Sequence, residues 1–286
     1  MKIAHISDLH LYSEGALTVK HLLGRRFLGA VNLFLLRRNL FSRDIAMQAV
    51  KALRSAQVDH LVVTGDFTNL ALEQEFLIAK EVLKPFWAYE TLTPVPGNHD
   101  FYASDAIREQ RFERTFGALL WRDGEERGWP VVKDFGNVAI IVLRSAFLCP
   151  PGMGFGRVGN QQIRRLEEIL NAYSSKQTQV IIALHHHIHN RGLVTEATGR
   201  LLDKPALLGL IKRFSPALVL HGHDHRPGRW FIKGEKETMV ACNGSVTMLK
   251  PGFSPKITLY SLDGISIKVE TWVYQSEKGS FGPNPE

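Results

Sequence analysis

Cysteine is scarce: Cys149 and Cys242 are the only two in 286 residues. Two thiols exclude a disulfide framework and a cysteine-rich zinc site, and a reducing compartment is the simplest setting. Long apolar runs are missing as well. None reaches the roughly 18 residues of a spanning helix. The opening residues, Met1 to Asp8, carry neither a long apolar centre nor a small-residue cleavage site, so they read as a strand and not as a signal peptide. No repeat of fixed period appears, and low complexity is confined to a Gly/Pro/Ser-rich stretch at 276–286, read as a flexible tail. With no evident linker, residues 1–275 read as one domain. The length suffices for a large core.

Acidic residues are absent from one segment. Between Leu17 and Arg43 stand Lys20, Arg25, Arg26, Arg37, Arg38 and Arg43, with no Asp or Glu. Those six account for nearly all of the net charge of +7; the rest of the chain carries 29 basic residues against 28 acidic. Leu22, Leu23, Phe27, Val31, Phe34 and Leu35 recur at helical spacing within it. A basic amphipathic insert at about 17–43 suits an anionic membrane surface or a greasy ligand, with Arg25, Arg26, Arg37 and Arg38 making the contact. The bland alternative is a helix packed on the domain with a charged outer face.

Elsewhere the chain alternates strands and helices, and the strand ends carry the chemistry. Lys2 to Ser7 reads as a strand ending at Asp8-Leu9-His10, whose spacing of two puts both polar side chains on one side of extended backbone. A capping Asp and a surface His would look the same. The run Leu61-Val62-Val63 leads to Gly65-Asp66, and a short strand through Pro94 leads to Gly97-Asn98-His99-Asp100. Val180 to Leu184 ends in His185-His186-His187, and Ala217 to Leu220 ends in His221-Gly222-His223-Asp224-His225. Helices are expected over Asp44–Ser55, Leu70–Phe86, Ala103–Trp121 and Gln161–Ala172. The glycines of Pro150–Gly159 would let backbone approach a ligand, or simply form a loop.

Together these ends offer Asp8, His10, Asp66, Asn98, His185 or His186, His223 and His225, enough for two metal sites that share one carboxylate. Oxygen and imidazole donors without sulfur suit Mn, Fe or Zn. A pair of such ions would polarise a phosphoryl group and generate hydroxide at neutral pH. His99 would then protonate the leaving oxygen or stabilise phosphoryl charge, and Asp100 would orient it.

The five blocks, in order, resemble those of the calcineurin-like metallophosphoesterases from Met1 to about His225. The resemblance implies an α/β fold: a four-layer αββα sandwich of two mixed β-sheets flanked by helices, with two divalent metal ions at the strand ends. It implies that Asp66 bridges the ions, that Asp8, His10 and His225 complete one site, and that Asn98, His223 and His185 complete the other. The family's proline near the last of these is absent here.

The resemblance gives a phosphohydrolase and leaves its substrate open. Gly156-Arg157-Val158-Gly159-Asn160-Gln161-Gln162 looks like the branch that includes bacterial cyclic-nucleotide phosphodiesterases. The basic insert favours instead a UDP-2,3-diacylglucosamine hydrolase of lipid A synthesis, working from the cytoplasm at the inner face of a membrane. A nuclease would use Phe27, Phe34 and Phe41 among the arginines, but the rest of the chain lacks a basic track, which argues against nucleic acid. A non-catalytic scaffold would tolerate missing ligands, and none is missing.

Overall fold

A computed structural model describes residues 1–13, 15–18, 25–32, 40–264 and 266–284. In chain order the strands are β1 (Lys2–Ile6), β2 (His60–Thr64), β3 (Leu92–Val95), β4 (Val131–Asp134), β5 (Val138–Val142), β6 (Gln179–Ala183), β7 (Leu218–His221), β8 (Gly228–Lys233), β9 (Glu237–Cys242), β10 (Lys256–Leu262), β11 (Ile267–Gln275) and β12 (Ser280–Pro283). They form two six-stranded sheets, β12-β11-β10-β1-β2-β3 and β4-β5-β6-β7-β9-β8. Each is mixed. β1, β2 and β3 run parallel, as do β5, β6, β7 and β9, while the flanking pairs are antiparallel.

The central strands are mostly apolar, β5 entirely so, because both of their faces are covered. In the second sheet the alternation separates two layers. Ile140, Val142, Ile181, Ala183, Leu218 and Leu220 join the core shared with Ile3, Leu61 and Val63 of the first sheet. Ala139, Ile141, Ile182, Val219 and Val240 face the other way. They pack under Leu166 and Leu170 of a helix at Asn160–Ser174 and Leu207 of another at Lys204–Phe214. Two helices at Arg43–Ser55 and Glu73–Leu83 bury Ile45, Leu53, Phe76 and Leu83 in the core of the first sheet. The αββα sandwich is the architecture expected.

The helices are numbered α1 (Arg25–Asn32), α2 (Arg43–Ser55), α3 (Glu73–Leu83), α4 (Ser104–Arg108), α5 (Arg111–Phe116), α6 (Asn160–Ser174), α7 (Leu193–Gly199) and α8 (Lys204–Phe214). The continuous helix expected over Ala103–Trp121 is broken at Gln110, which adopts a left-handed φ of 49°. The break turns Arg111 inward, where its guanidinium donates to the carbonyl of Ala71 (2.7 Å) and to Asp105 (2.9 Å). The expected loose tail is likewise corrected. Ser280–Pro283 pairs with β11, and Phe281 is buried in the first core.

Candidate active site

The loop after β1 and the loop after β2 are zipped together by backbone. Asp8 N donates to Gly65 O (3.0 Å), His10 N to Asp66 O (2.8 Å) and Leu11 N to Phe67 O (2.9 Å). Ser245 and Thr247 support the same turn, their hydroxyls donating to the carbonyls of Asp8 (2.7 Å) and Leu9 (2.8 Å). The extended backbone expected for Asp8 and His10 is not found. Asp8, His10, Asp66, His223 and His225 all take left-handed φ values, between 45° and 72°. Non-glycine residues avoid that region, and its concentration here is the strain typical of functional sites. Side chains therefore leave the strand ends inward by backbone reversal and not by alternation. Gly97 has to be glycine, since a Cβ there would overlap the backbone and carboxylate of Asp66.

Two donor groups result. In the first, ligating atoms of Asp8, His10, Asp66 and His225 all lie within 4.8 Å of one another. His10 Nε2 stands 2.8 Å from His225 Nε2 and 3.6 Å from Asp66 Oδ2, and His225 Nε2 stands 3.3 Å from Asp8 Oδ1. In the second, Asn98 Oδ1 lies 3.0 Å from His185 Nε2 and 2.9 Å from His223 Nδ1. Asp66 Oδ2 is 3.5 Å from His185 Nε2, so this one carboxylate faces both groups. Inward-facing imidazole nitrogens and carboxylates, buried and packed this closely, match the donor chemistry of first-row divalent cations.

The triple histidine divides its labour. His185 Nδ1–H donates to the carbonyl of Thr64 (2.7 Å), which aims Nε2 at Asn98 and Asp66. Burial opposes the charged form of this imidazole, but Asp66 outweighs it and holds the pKa up to about 9. His186 is spent on Ser145 Oγ (2.8 Å) and Gly154 O (3.0 Å). His187 lies between Asp224 (3.0 Å) and Glu196 (3.3 Å). Only His185 of the three faces Asn98.

Asp100 does not do what was expected of it. Its Oδ1 accepts from the amide and hydroxyl of Thr68 (both 3.0 Å), and Oδ2 accepts from Gly97 N (2.9 Å). It closes its own loop and ties it to the neighbouring one. Burial, with Asp66 nearby, pushes its carboxyl up to about 7. The imidazole of His99 is instead oriented by a backbone group: Nδ1–H donates to the carbonyl of Asn69 (2.7 Å), while the amide of His99 donates to Asp66 Oδ1 (2.8 Å). Asn69 in turn donates from Nδ2 to the carbonyl of His10. Thr68, Asn69, Ser245 and Thr247 escaped the motif reading. Thr68 and Asn69 follow Gly65-Asp66 after one intervening residue, Phe67, which is the one signal that could have found them.

Comparison with known proteins agrees with this geometry. The sequence profile of the calcineurin-like phosphoesterases matches residues 1–227. The chain belongs to that family. It is a metallophosphoesterase, a hydrolase of phosphoester bonds. A probable glycerophosphodiester phosphodiesterase of Arcobacter nitrofigilis is 25% identical over 232 residues, 79% of this chain and 72% of that protein. A 3',5'-cyclic adenosine monophosphate phosphodiesterase of Vibrio vulnificus is 25% identical over 303 residues, 99% of this chain and 93% of that one. Among solved structures, a dimetal phosphatase from Danio rerio superposes with a TM-score of 0.63 at 16% identity, covering 95% of this chain and 94% of its own.

Beside the two donor groups the metallophosphoesterase has a cavity of about 320 Å³. Asn98, His99 and His223 form one wall, Tyr102 and Gly29 another, and Met153, Thr195 and Thr198 a third. The insert reaches this cavity through α1. Ala30 packs on Leu70 and Leu72, and Gly29 rests against Tyr102. Arg26, expected at a membrane surface, is buried instead. Its Nε donates to Leu70 O (2.8 Å) and its Nη1 to Asp105 (2.8 Å), because α1 needs an anchor on the loop that follows Asn69. Phe27 and Val31, by contrast, are 52% and 39% exposed. Arg37 and Arg38, and the side chain of Arg25, lie outside the described residues. In the glycine-rich connection, Gly152 and Gly154 line the cavity, whereas Gly156 packs under the ring of His186.

Proposed function

We propose that this metallophosphoesterase hydrolyses small phosphodiesters, with Asp8, His10, Asp66 and His225 holding one divalent cation and Asp66, Asn98, His185 and His223 a second. The observation that supports this most is the placement of Asp66 Oδ2, 3.6 Å from His10 Nε2 and 3.5 Å from His185 Nε2. When bound, such a pair of Mn, Fe or Zn ions supplies the positive charge that polarises a phosphoryl group and acidifies water. His99 works from the cavity side. With Nδ1–H committed to Asn69, its Nε2 is the atom from which a proton reaches the leaving oxygen. Asp100 keeps the Gly97–Asp100 loop closed and so holds Asn98 and His99 in place. The cavity lined by Tyr102, Thr195 and Thr198 takes the leaving alcohol.

A diester is favoured over a monoester because the relatives at 25% identity are named as phosphodiesterases, of glycerophosphodiesters and of cyclic AMP. Cyclic nucleotides are the first substrates to try. A second reading rests on α1, which borders the cavity at Gly29 and exposes Phe27 and Val31. It would place a lipid-linked substrate such as UDP-diacylglucosamine at the surface of an anionic membrane. No helix among the described residues is long and apolar enough to cross a membrane, so such an association would be peripheral.

The deciding experiment compares metal-loaded protein on cyclic AMP, a glycerophosphodiester, UDP-diacylglucosamine and an aryl phosphodiester. Hydrolysis of the first, second or fourth supports the small-diester reading. Hydrolysis of UDP-diacylglucosamine alone supports the lipid reading, and release from anionic vesicles by Arg25, Arg37 and Arg38 changed to Glu would strengthen it. A metal-loaded protein inert on all four would point to a scaffold.

A further inference from the structure

A second cluster of donors lies behind the loop that carries His223 and His225. Ligating atoms of His189, His221 and Asp224 sit within 4.8 Å of one another. None of these residues belongs to either donor group of the catalytic centre. His221 is fully buried, and the side chains of Asp224 and His189 are 1% and 16% exposed.

His221 Nδ1–H donates to the carbonyl of Gly222 (3.0 Å), so Nε2 carries the lone pair, and among the described residues that atom has no hydrogen-bond partner. Among the described residues neither nitrogen of His189 has a hydrogen-bond partner, and Nε2 stands 3.6 Å from Asp224 Oδ2. His187 Nδ1 stands 3.0 Å from Asp224 Oδ1, and Arg191 Nε stands 3.1 Å from Oδ2. A buried imidazole lone pair left unsatisfied is costly, and two of them aimed at one carboxylate form the N₂O donor set of a transition metal. The backbone hydrogen bond on the far nitrogen of His221 is the support that metal-ligating histidines use. Trp230 stacks on His189 with ring centroids 3.6 Å apart and fixes the ring's orientation. His189, being partly exposed, gives the ion a way in.

From these observations we infer that His189, His221 and Asp224 form a third, mononuclear site for a Zn-like divalent cation, separate from the catalytic pair. Asp224 stands between His223 and His225 in sequence. A cation there ties the loop after β7 to the loop after β6 and steadies two residues assigned to the catalytic ions.

The test is a metal count on the full chain equilibrated with micromolar Zn²⁺, by elemental analysis after removal of free metal. The wild type is expected to retain one equivalent more than His189→Ala, and a Zn²⁺-dependent rise in melting temperature should shrink in that variant. His189→Gln, which keeps a polar side chain, checks that the loss is not a folding defect: it should show the same missing equivalent with an unchanged circular dichroism spectrum. Asp66→Asn separates this inference from the catalytic reading. It should lose the catalytic equivalents and keep the third. If wild type, His189→Ala and His189→Gln bind the same number of Zn²⁺ ions, the cluster is a buried ion pair of Asp224 with Arg191 and His187, and the inference is wrong.

Discussion

Lys133 and His185 are both fully buried bases, yet their surroundings push them in opposite directions. The amine of Lys133, on β4, donates to the carbonyls of Tyr89, Leu92 (2.9 Å) and Leu119 (3.1 Å) across the seam between the sheets. Burial pushes it down to about 7. His60, held by Glu90 O and Thr93 Oγ1 near the same seam, is likewise pushed down, to about 3. His185 is as deeply buried, but it faces Asp66 and is held up to about 9. Neutral carbonyls satisfy a proton donor without offsetting the loss of water around a charge; a carboxylate offsets it. Asp66 therefore favours positive charge at His185, whereas the β3–β4 seam is structural.

Removing the counter-charge should break this contrast most severely. Asp66→Asn is expected to lower metal content in both donor groups and to cut turnover of an aryl phosphodiester by about 100-fold or more. Metal analysis and a steady-state assay check it. A fully loaded, active variant would show that the edge does not depend on Asp66.

His99→Ala probes the same edge without touching a proposed ligand. Turnover should fall by about 10²- to 10⁴-fold, the range for a positioned acid, while metal content stays near wild type. Loss of metal in step with activity would make His99 structural. Asp100→Asn should act more weakly on turnover and more on stability. It forces an amide group toward either Thr68 or Gly97, each of which offers a donor, at a cost of about 1–3 kcal/mol.

The contrast between Asp66 and Asp100 also marks how far the sequence could be read. That Asp8, His10, Asp66, Asn98, His223 and His225 would gather at one edge was legible because each follows an apolar strand, and short apolar runs place strand ends without knowledge of the fold. Asp100 sits in the same motif as His99, but its partners, Thr68 and Gly97, are chosen by how two loops meet. No local pattern encodes that meeting, nor the left-handed backbone at five of the proposed ligands. Arg26 shows the same limit. Its charge was visible, whereas its partner Asp105 is 79 residues away. The break at Gln110 was hidden because the pattern through Arg108, Arg111 and Arg114 is equally helical on both sides. β12 is a four-residue edge strand, and little in its composition, Ser-Phe-Gly-Pro, distinguishes it from a loop.

Helix α1 offers a smaller version of the comparison, one buried cation beside one exposed apolar side chain. Arg26→Ala removes a guanidinium bonded to two carbonyls and to Asp105, and should cost about 2–4 kcal/mol in urea unfolding. Phe27→Ser, one residue on and 52% exposed, should change stability by less than about 0.5 kcal/mol. If the two variants were equally mild, α1 would not be anchored through Arg26.

The subtlest effect is a slope with pH. Lys133 titrates near 7 in the folded chain and near its ordinary 10.5 when unfolded. Between those values the unfolded chain binds the extra proton, so this group makes stability rise with pH from about 7 to about 10.5. His185 works in the opposite sense, holding its proton in the fold from its ordinary 6.5 up to about 9, so its contribution is lost as pH rises through about 9. Lys133→Met leaves His185 in place. The variant should melt lower at pH 9, because carbonyls at Leu92 and Leu119 lose their donor. Its stability should also climb less between pH 7 and 10 than that of the wild type. Melting temperatures across that window measure both effects. A pH slope unchanged by the substitution would mean that the amine stays charged against neutral carbonyls, and the contrast with His185 would then owe nothing to the carboxylate.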